Sequence, residues 1–156
     1  MRFIADAMLG RLARWLRLLG YDTAFERGID DNELLRKAKK EERTILTRDT
    51  RLVERKAARG QSFLIGPDDP FEQLKQVMAH FSLERGGKNV QGRCTLCNGP
   101  VMGIEDKERV RERVPEYVFL SRNAFYECLN CGHVYWEGTH HERFAKLLDD
   151  IIKKGR

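Results

Sequence analysis

Up to about residue 82 the chain alternates short apolar runs with longer stretches of helical period. Arg2 to Ala5 (RFIA) reads as a buried strand. The LGRLARWLRLLG that follows reads as a helix, since at about 100° per residue Leu9, Leu12, Trp15, Leu16 and Leu19 share one face. Three more strand-helix units come after it. YDTAFE leads into DNELLRKAKKEE, RTILT into RLVERKAARG closed by Gly60, and SFLI into PFEQLKQVMAHF. The last helix opens with Pro70 at its first position, behind Asp69 and Glu72 at capping-box spacing. Four such units in succession predict an α/β fold with a parallel sheet and helices on its faces, because parallel neighbours need crossover connections.

The pattern then changes. This divides the chain into an α/β domain over 1–82, a linker over 83–92 (LERGGKNVQG, with no apolar periodicity), a cysteine-bearing β-rich segment over 93–138 and a tail over 139–156. In the tail Phe144, Leu147, Leu148, Ile151 and Ile152 recur at helical spacing, which predicts a C-terminal amphipathic helix.

Composition bounds the reading without sharpening it. At 156 residues and 41% apolar content the chain can bury a core. No run approaches the roughly 20 apolar residues of a membrane span. The Asp inside the first apolar segment argues against a signal peptide, so a cytoplasmic location is expected. The net charge of +5 is mild. It is compatible with a polyanionic partner and equally with none.

Charge becomes informative once it is placed on the predicted sheet. In parallel sheets ligands bind outside the carboxyl ends of the strands. Asp6 ends the first strand, Asp30 and Asp31 follow the second, Asp49 ends the third, and Asp68 and Asp69 follow the fourth. Two unit charges about 5 Å apart repel by about 3 kcal/mol at an effective dielectric near 20, so converging carboxylates call for a cation. Hard divalent ions such as Mg²⁺ or Mn²⁺ suit oxygen ligands and support phosphodiester hydrolysis. Against this, Asp30 with Glu33 has capping-box spacing, Asp69 reads as a cap and Asp68 as a turn residue. Thr50 reads as the cap of the third helix, which leaves Asp49 without that job. Arg11, Arg14 and Arg17 form the polar stripe of the first helix, and Arg48 and Arg51 flank Asp49. These five arginines are candidate phosphate contacts, the plainer alternative being a solvated stripe.

All four cysteines fall in two C-x-x-C pairs, CTLC and CLNC. Each knuckle brings two thiolates to one ion, so Cys94, Cys97, Cys128 and Cys131 predict a closed structural zinc site. Residues 98–127 intervene, more than the usual spacing of about 15–20, and are expected to form a long hairpin around RVRERVPEYVFLS. With four sulfurs present, His133, His140 and His141 are expected at the surface. Tyr117, Phe119, Phe125, Tyr126, Tyr135 and Trp136 are expected mostly in the core.

RFIADAMLGRLARWLRLLGYDT, DDNELL and ILTRD, followed by RCTLCNGPV and FYECLNCGHVYWEGTHHERF, resemble the mut-seven carboxy-terminal ribonuclease family, a PIN-like nuclease group commonly followed by a zinc ribbon. The resemblance covers nearly the whole chain. It implies a three-layer α/β/α domain hydrolysing RNA with Mg²⁺ or Mn²⁺ held by acids at strand ends. Carried over by position, Asp6 is the first acid, Asp31 or its neighbour Asp30 the second and Asp49 the third, with Thr47 as the hydroxyl two residues before it. Glu33 and Asp68 are further candidate acids. The expected function is thus a metal-dependent ribonuclease whose ribbon helps hold RNA. The alternatives are a non-catalytic RNA-binding module, and an interaction protein, ribosome-associated or antitoxin-regulated, that meets its partner through the ribbon. Nothing in the sequence bears on oligomeric state.

Overall fold

The computed structural model describes residues 1–84, 92–138, 145, 146, 148–150 and 153. The predicted linker lies almost entirely outside these residues, as do His140, His141 and most of the predicted tail helix. Within the tail, Leu148 is helical and buried. The chain forms two compact units, Met1–Val90 and Gln91–Arg156.

In the first unit β1 (Arg2–Ala5), β2 (Asp22–Phe25), β3 (Thr44–Thr47) and β4 (Ser62–Leu64) make one parallel sheet in the order β2-β1-β3-β4. The connecting helices are α1 (Gly10–Leu18), α2 (Asp31–Lys40) and α3 (Thr50–Glu54), and α4 (Pro70–Phe81) follows the last strand. Alternate strand residues face opposite layers. Ile4, Ala24 and Ile45 pack with Leu34, Leu35 and Ala38 of α2 and Leu52 of α3. Phe3 and Phe63 meet Phe81 of α4 edge-on, at 5.3 and 5.2 Å, and α4 touches α1. The result is three layers, α1 and α4 on one face and α2 and α3 on the other.

The third helix is shorter than its apolar pattern predicts. It ends at Glu54, Arg55 is extended, and a 3-10 turn over Lys56–Ala58 follows. The break places Ala58 in the core beside Ile45 and Leu52.

At the amino ends of the strands the charges are mutually neutralised. Arg43 is buried, donating to Asp22 at 2.6 Å, to Glu41 at 2.5 Å and to the Phe3 carbonyl at 3.1 Å. Arg2 completes the group, its Nη1 reaching the Glu41 carbonyl at 2.8 Å.

The second unit holds an antiparallel sheet of β5 (Val101–Ile104), β6 (Phe125–Cys128) and β7 (Val134–Trp136). The insert between the cysteine pairs does close as a long hairpin, β5 pairing antiparallel with β6, but the RVRERVPEYVFLS expected at its centre is not strand. That stretch forms a 3-10 turn over Lys107–Val110 and a helix, α5 (Glu116–Ser121), behind Pro115. Val110, Val114 and Val118 recur every fourth residue, a helical interval, and bury against Phe119, Phe125 and Val134. Tyr117, expected in the core, stands 73% exposed on α5.

Candidate functional site

The carboxyl edge of the parallel sheet gathers the sequence's acids. From β1 the chain moves to β2 on one side, and from β3 to β4 on the other, so the switch point lies between β1 and β3, where such sheets open a crevice. Asp6 and Thr47 stand side by side there, because Ala5 is paired with Leu46. The Asp6 amide donates to the Leu46 carbonyl at 3.0 Å, and Asp6 Oδ1 accepts the Met8 amide at 2.9 Å. Its Oδ2 accepts the Thr47 hydroxyl and, at 3.2 Å, the Arg48 amide. Thr47 Oγ1 in turn accepts the Asp49 amide at 3.0 Å. One hydroxyl therefore bonds the carboxylate of the first acid and the backbone amide of the second.

Every donor to the carboxylates of Asp6 and Asp49 among the described residues is a backbone amide or that hydroxyl. Among the described residues no cationic side chain pairs with either carboxylate, in contrast to the neutralised group at the opposite edge. Oxygen donors without a counter-ion, with lone pairs remaining, fit a hard divalent cation.

Asp49 departs from its sequence reading. It is itself the N-cap of α3, Oδ1 accepting the amides of Arg51 at 2.8 Å and Leu52 at 3.3 Å, while Thr50 is the first helical residue. The reason is the extended backbone at Asp49, ψ 109°, which turns its side chain onto the exposed amides. Its Oδ2 takes none of these bonds.

The other acids are engaged differently. Asp30 caps α2 through the Glu33 amide at 3.0 Å, and Glu33 pairs with Arg36 at 2.9 Å. Asp31, first in α2 and exposed, lies 4.0 Å from Arg55. Asp68 bonds Arg48.

The arginine stripe also needs one correction. Arg11 and Arg14 are exposed, but Arg17 is buried, its Nε donating to the Thr23 carbonyl at 2.8 Å. Steps of three residues fall about 60° short of a turn, so the third arginine has rotated to the flank of the apolar arc. Arg51 is exposed and Arg48 half-buried.

In the second unit the four cysteine sulfurs lie within 4.8 Å of one another, the one group of three or more potential metal ligands this close among the described residues. Cys94 and Cys131 sulfurs are 3.7 Å apart, Cys97 and Cys128 3.4 Å. These separations are far longer than a disulfide's roughly 2.05 Å. They are close to the edge of a tetrahedron with zinc–sulfur bonds of about 2.3 Å.

The two knuckles repeat one turn. The Cys94 carbonyl accepts the Asn98 amide at 2.8 Å and the Cys128 carbonyl the Gly132 amide at 2.9 Å. Asn98 and Gly132 both take positive φ, 65° and 75°. Gly99 admits no side chain, because a Cβ there would meet Cys128 Sγ at 2.9 Å.

Two residues of this site escaped the sequence reading. Asn130, inside the second knuckle, donates its side-chain amide to Cys97 Sγ at 3.4 Å, and this bond leads in holding the Cys97 thiol down at about 6. Cys131 moves the other way. Although a backbone hydrogen bond at His133 acts to lower it, desolvation and the neighbouring sulfurs of Cys97, Cys94 and Cys128 push it up to about 12. Four thiolates at this spacing cannot all ionise alone, which is what a bound dication relieves. Tyr135 is the second, its hydroxyl 2.9 Å from Cys94 Sγ. An Asn between paired cysteines is a readable cue, but the Tyr135 contact spans 41 residues and depends on sheet register.

A sequence model of the Mut7-C RNAse domain matches residues 1–148. The chain belongs to the Mut7-C RNAse family. Comparison with curated proteins and with solved structures returned no match. The Mut7-C match runs across both units, acid edge and cysteine cluster included, and makes the chain a ribonuclease-type protein with RNA as substrate or partner. No helix of this Mut7-C chain is long and apolar enough to cross a membrane among the described residues.

Proposed function

We propose that the α/β unit is a PIN-like nuclease that hydrolyses RNA phosphodiester bonds at the β1/β3 switch point, with Asp6, Asp31 and Asp49 holding Mg²⁺ or Mn²⁺. The observation that carries this reading is the pair of acids Asp6 and Asp49, which no cationic side chain among the described residues neutralises and which Thr47 links through the Asp6 carboxylate and the Asp49 amide. A divalent ion there supplies Lewis acidity toward the phosphate and acidifies water. Asp6 is aimed by its three donors, so its carboxylate does not reorganise when substrate arrives. Thr47 is a positioning residue acting through both acids. Arg11, Arg14, Arg48 and Arg51 grip flanking phosphates, each able to present two donors of its fork.

The cysteine cluster, closed by four ligands, leaves no position for substrate. Its part is to hold the ribbon, which aids RNA binding. Exposed Tyr117 supports this, since an exposed ring can stack on an unpaired base. A second reading, a non-catalytic RNA-binding module, is favoured by the capping bonds of Asp30 and Asp49.

Labelled single-stranded and structured RNA, incubated with the zinc-loaded chain with and without Mn²⁺ or Mg²⁺, separates the two. Metal-dependent cleavage lost in Asp6→Asn is expected. Binding without cleavage under every condition supports the module, and cleavage that survives both metal omission and Asp6→Asn sinks the acid-edge mechanism.

A further inference from the structure

Between β4 and α4 stand two adjacent aspartates with different employment. Asp69 caps α4, its Oδ1 accepting the amides of Phe71 and Glu72 at 3.0 and 3.1 Å. Asp68 caps nothing. Its side chain is 91% exposed, and its Oδ1 accepts Nη2 of Arg48. The backbone beneath it is nonetheless firmly held. Gln73, buried in α4, commits its side-chain amide to the carbonyls of Pro67 at 3.0 Å and Asp68 at 3.3 Å. Gln76 accepts the Gly66 amide at 3.1 Å and donates to the Leu64 carbonyl at 3.3 Å. A buried amide spent on loop carbonyls fixes where the loop presents its side chains.

Arg48 lies between Thr47 and Asp49, its own amide on Asp6 Oδ2. In the present pose its Nε is buried and has no acceptor among the described residues. The guanidinium is thus held by Asp68 while one of its donors goes unmet, which is an incomplete arrangement for a group with five donors. A phosphate offers more oxygens and takes two donors of the fork at once. The pair with Asp68 is of the exposed, weak kind that such a ligand can displace.

We propose that Asp68 is an internal substitute for an RNA phosphate at Arg48. It parks the guanidinium beside the acid edge when RNA is absent and yields it to a phosphodiester oxygen when RNA binds. Asp68 thereby sets RNA affinity and its salt dependence, and it is not a metal ligand. This rests on the reading of Arg48 as a phosphate contact.

The test is a short fluorescent single-stranded RNA titrated with the zinc-loaded full chain, with no Mg²⁺ or Mn²⁺ added, over a series of salt concentrations. Asp68→Asn is expected to tighten binding about threefold and to steepen the log-log salt slope by up to about 0.7, because no released Asp68 carboxylate then takes up a cation as Arg48 passes to the RNA. Arg48→Gln is expected to weaken binding and, in the double variant, to abolish the gain. Asp68→Ser repeats the test with a different side chain, and thermal melts check that each variant is folded. If Arg48→Gln weakens binding but Asp68→Asn does not tighten it, this inference fails and the phosphate reading stands. If neither change alters affinity, both fail. Tightening that persists in the Arg48→Gln background overturns the inference, as does loss of Mn²⁺-dependent cleavage in Asp68→Asn at unchanged RNA affinity.

Discussion

In the carboxyl-terminal unit four sulfurs stand within 4.8 Å of one another, and little besides a metal reconciles them. In the amino-terminal unit Asp6 and Asp49 share one edge of the sheet, but the Asp6 carboxylate is already aimed by two amides and the Thr47 hydroxyl, and the Asp49 carboxylate by the amides of the helix it caps. Around the cysteines lies a small hydrophobic cluster and a three-stranded sheet, whereas around the acids lies a four-stranded sheet covered on both faces. In our proposal metal is a folding element in one unit and only a reagent in the other.

The largest expected effect tests that contrast at its root. Removing zinc, or substituting Cys128→Ser, is expected to unfold the second unit, since structural zinc is worth on the order of 10 kcal/mol to small domains. Limited proteolysis should then cut beyond residue 92 and leave the parallel sheet intact. Protection of both units without metal would erase the distinction.

Arg43→Met is the reciprocal experiment. It strands Asp22 and Glu41 at the edge of the first unit, and denaturant unfolding should show a loss of about 3 kcal/mol there with zinc content unchanged. The same group predicts a pH dependence. The side-chain hydrogen bond from Arg43 leads in holding the Glu41 carboxyl below its ordinary value of 4.5. A carboxyl lowered on folding contributes stability that is fully present above its unfolded value and is lost as pH falls through the folded one. Glu41→Gln should accordingly flatten the fall in first-unit stability below pH 4.5.

The smallest effects separate capping from chemistry. Asp30→Ala and Asp49→Ala each remove a helix cap and should each cost about 1 kcal/mol in thermal melts. Only Asp49→Ala should also abolish cleavage. Equal loss of activity in both, or in neither, would mean that the two caps are functionally alike.

How much of this was readable beforehand follows from the range of the forces involved. Strands and helices of the first unit were legible because each buries a face written locally at a period of two or 3.6. The cysteine knuckles were legible for the same reason, their geometry being a turn of a few residues. The cap of α3 is not legible because Asp and Thr are both good caps, and only the backbone angle at residue 49 decides which one turns onto the amides. The arginine stripe drifts around the helix, so its third member, Arg17, is buried where its spacing alone suggests a solvated face. Within the ribbon insert RVRERVPEYVFLS is helical rather than strand because Val110, Val114 and Val118 carry a four-residue interval. Tyr135 and Gln73 were silent, since their roles depend on partners set by tertiary structure.

The most direct measurement is turnover of labelled RNA by the zinc-loaded chain as Mn²⁺ is raised from zero, wild type beside Asp6→Asn. Cleavage that saturates with Mn²⁺ and falls by at least about 100-fold in the variant is the predicted result. Equal turnover by both proteins, or turnover indifferent to Mn²⁺, would contradict the account.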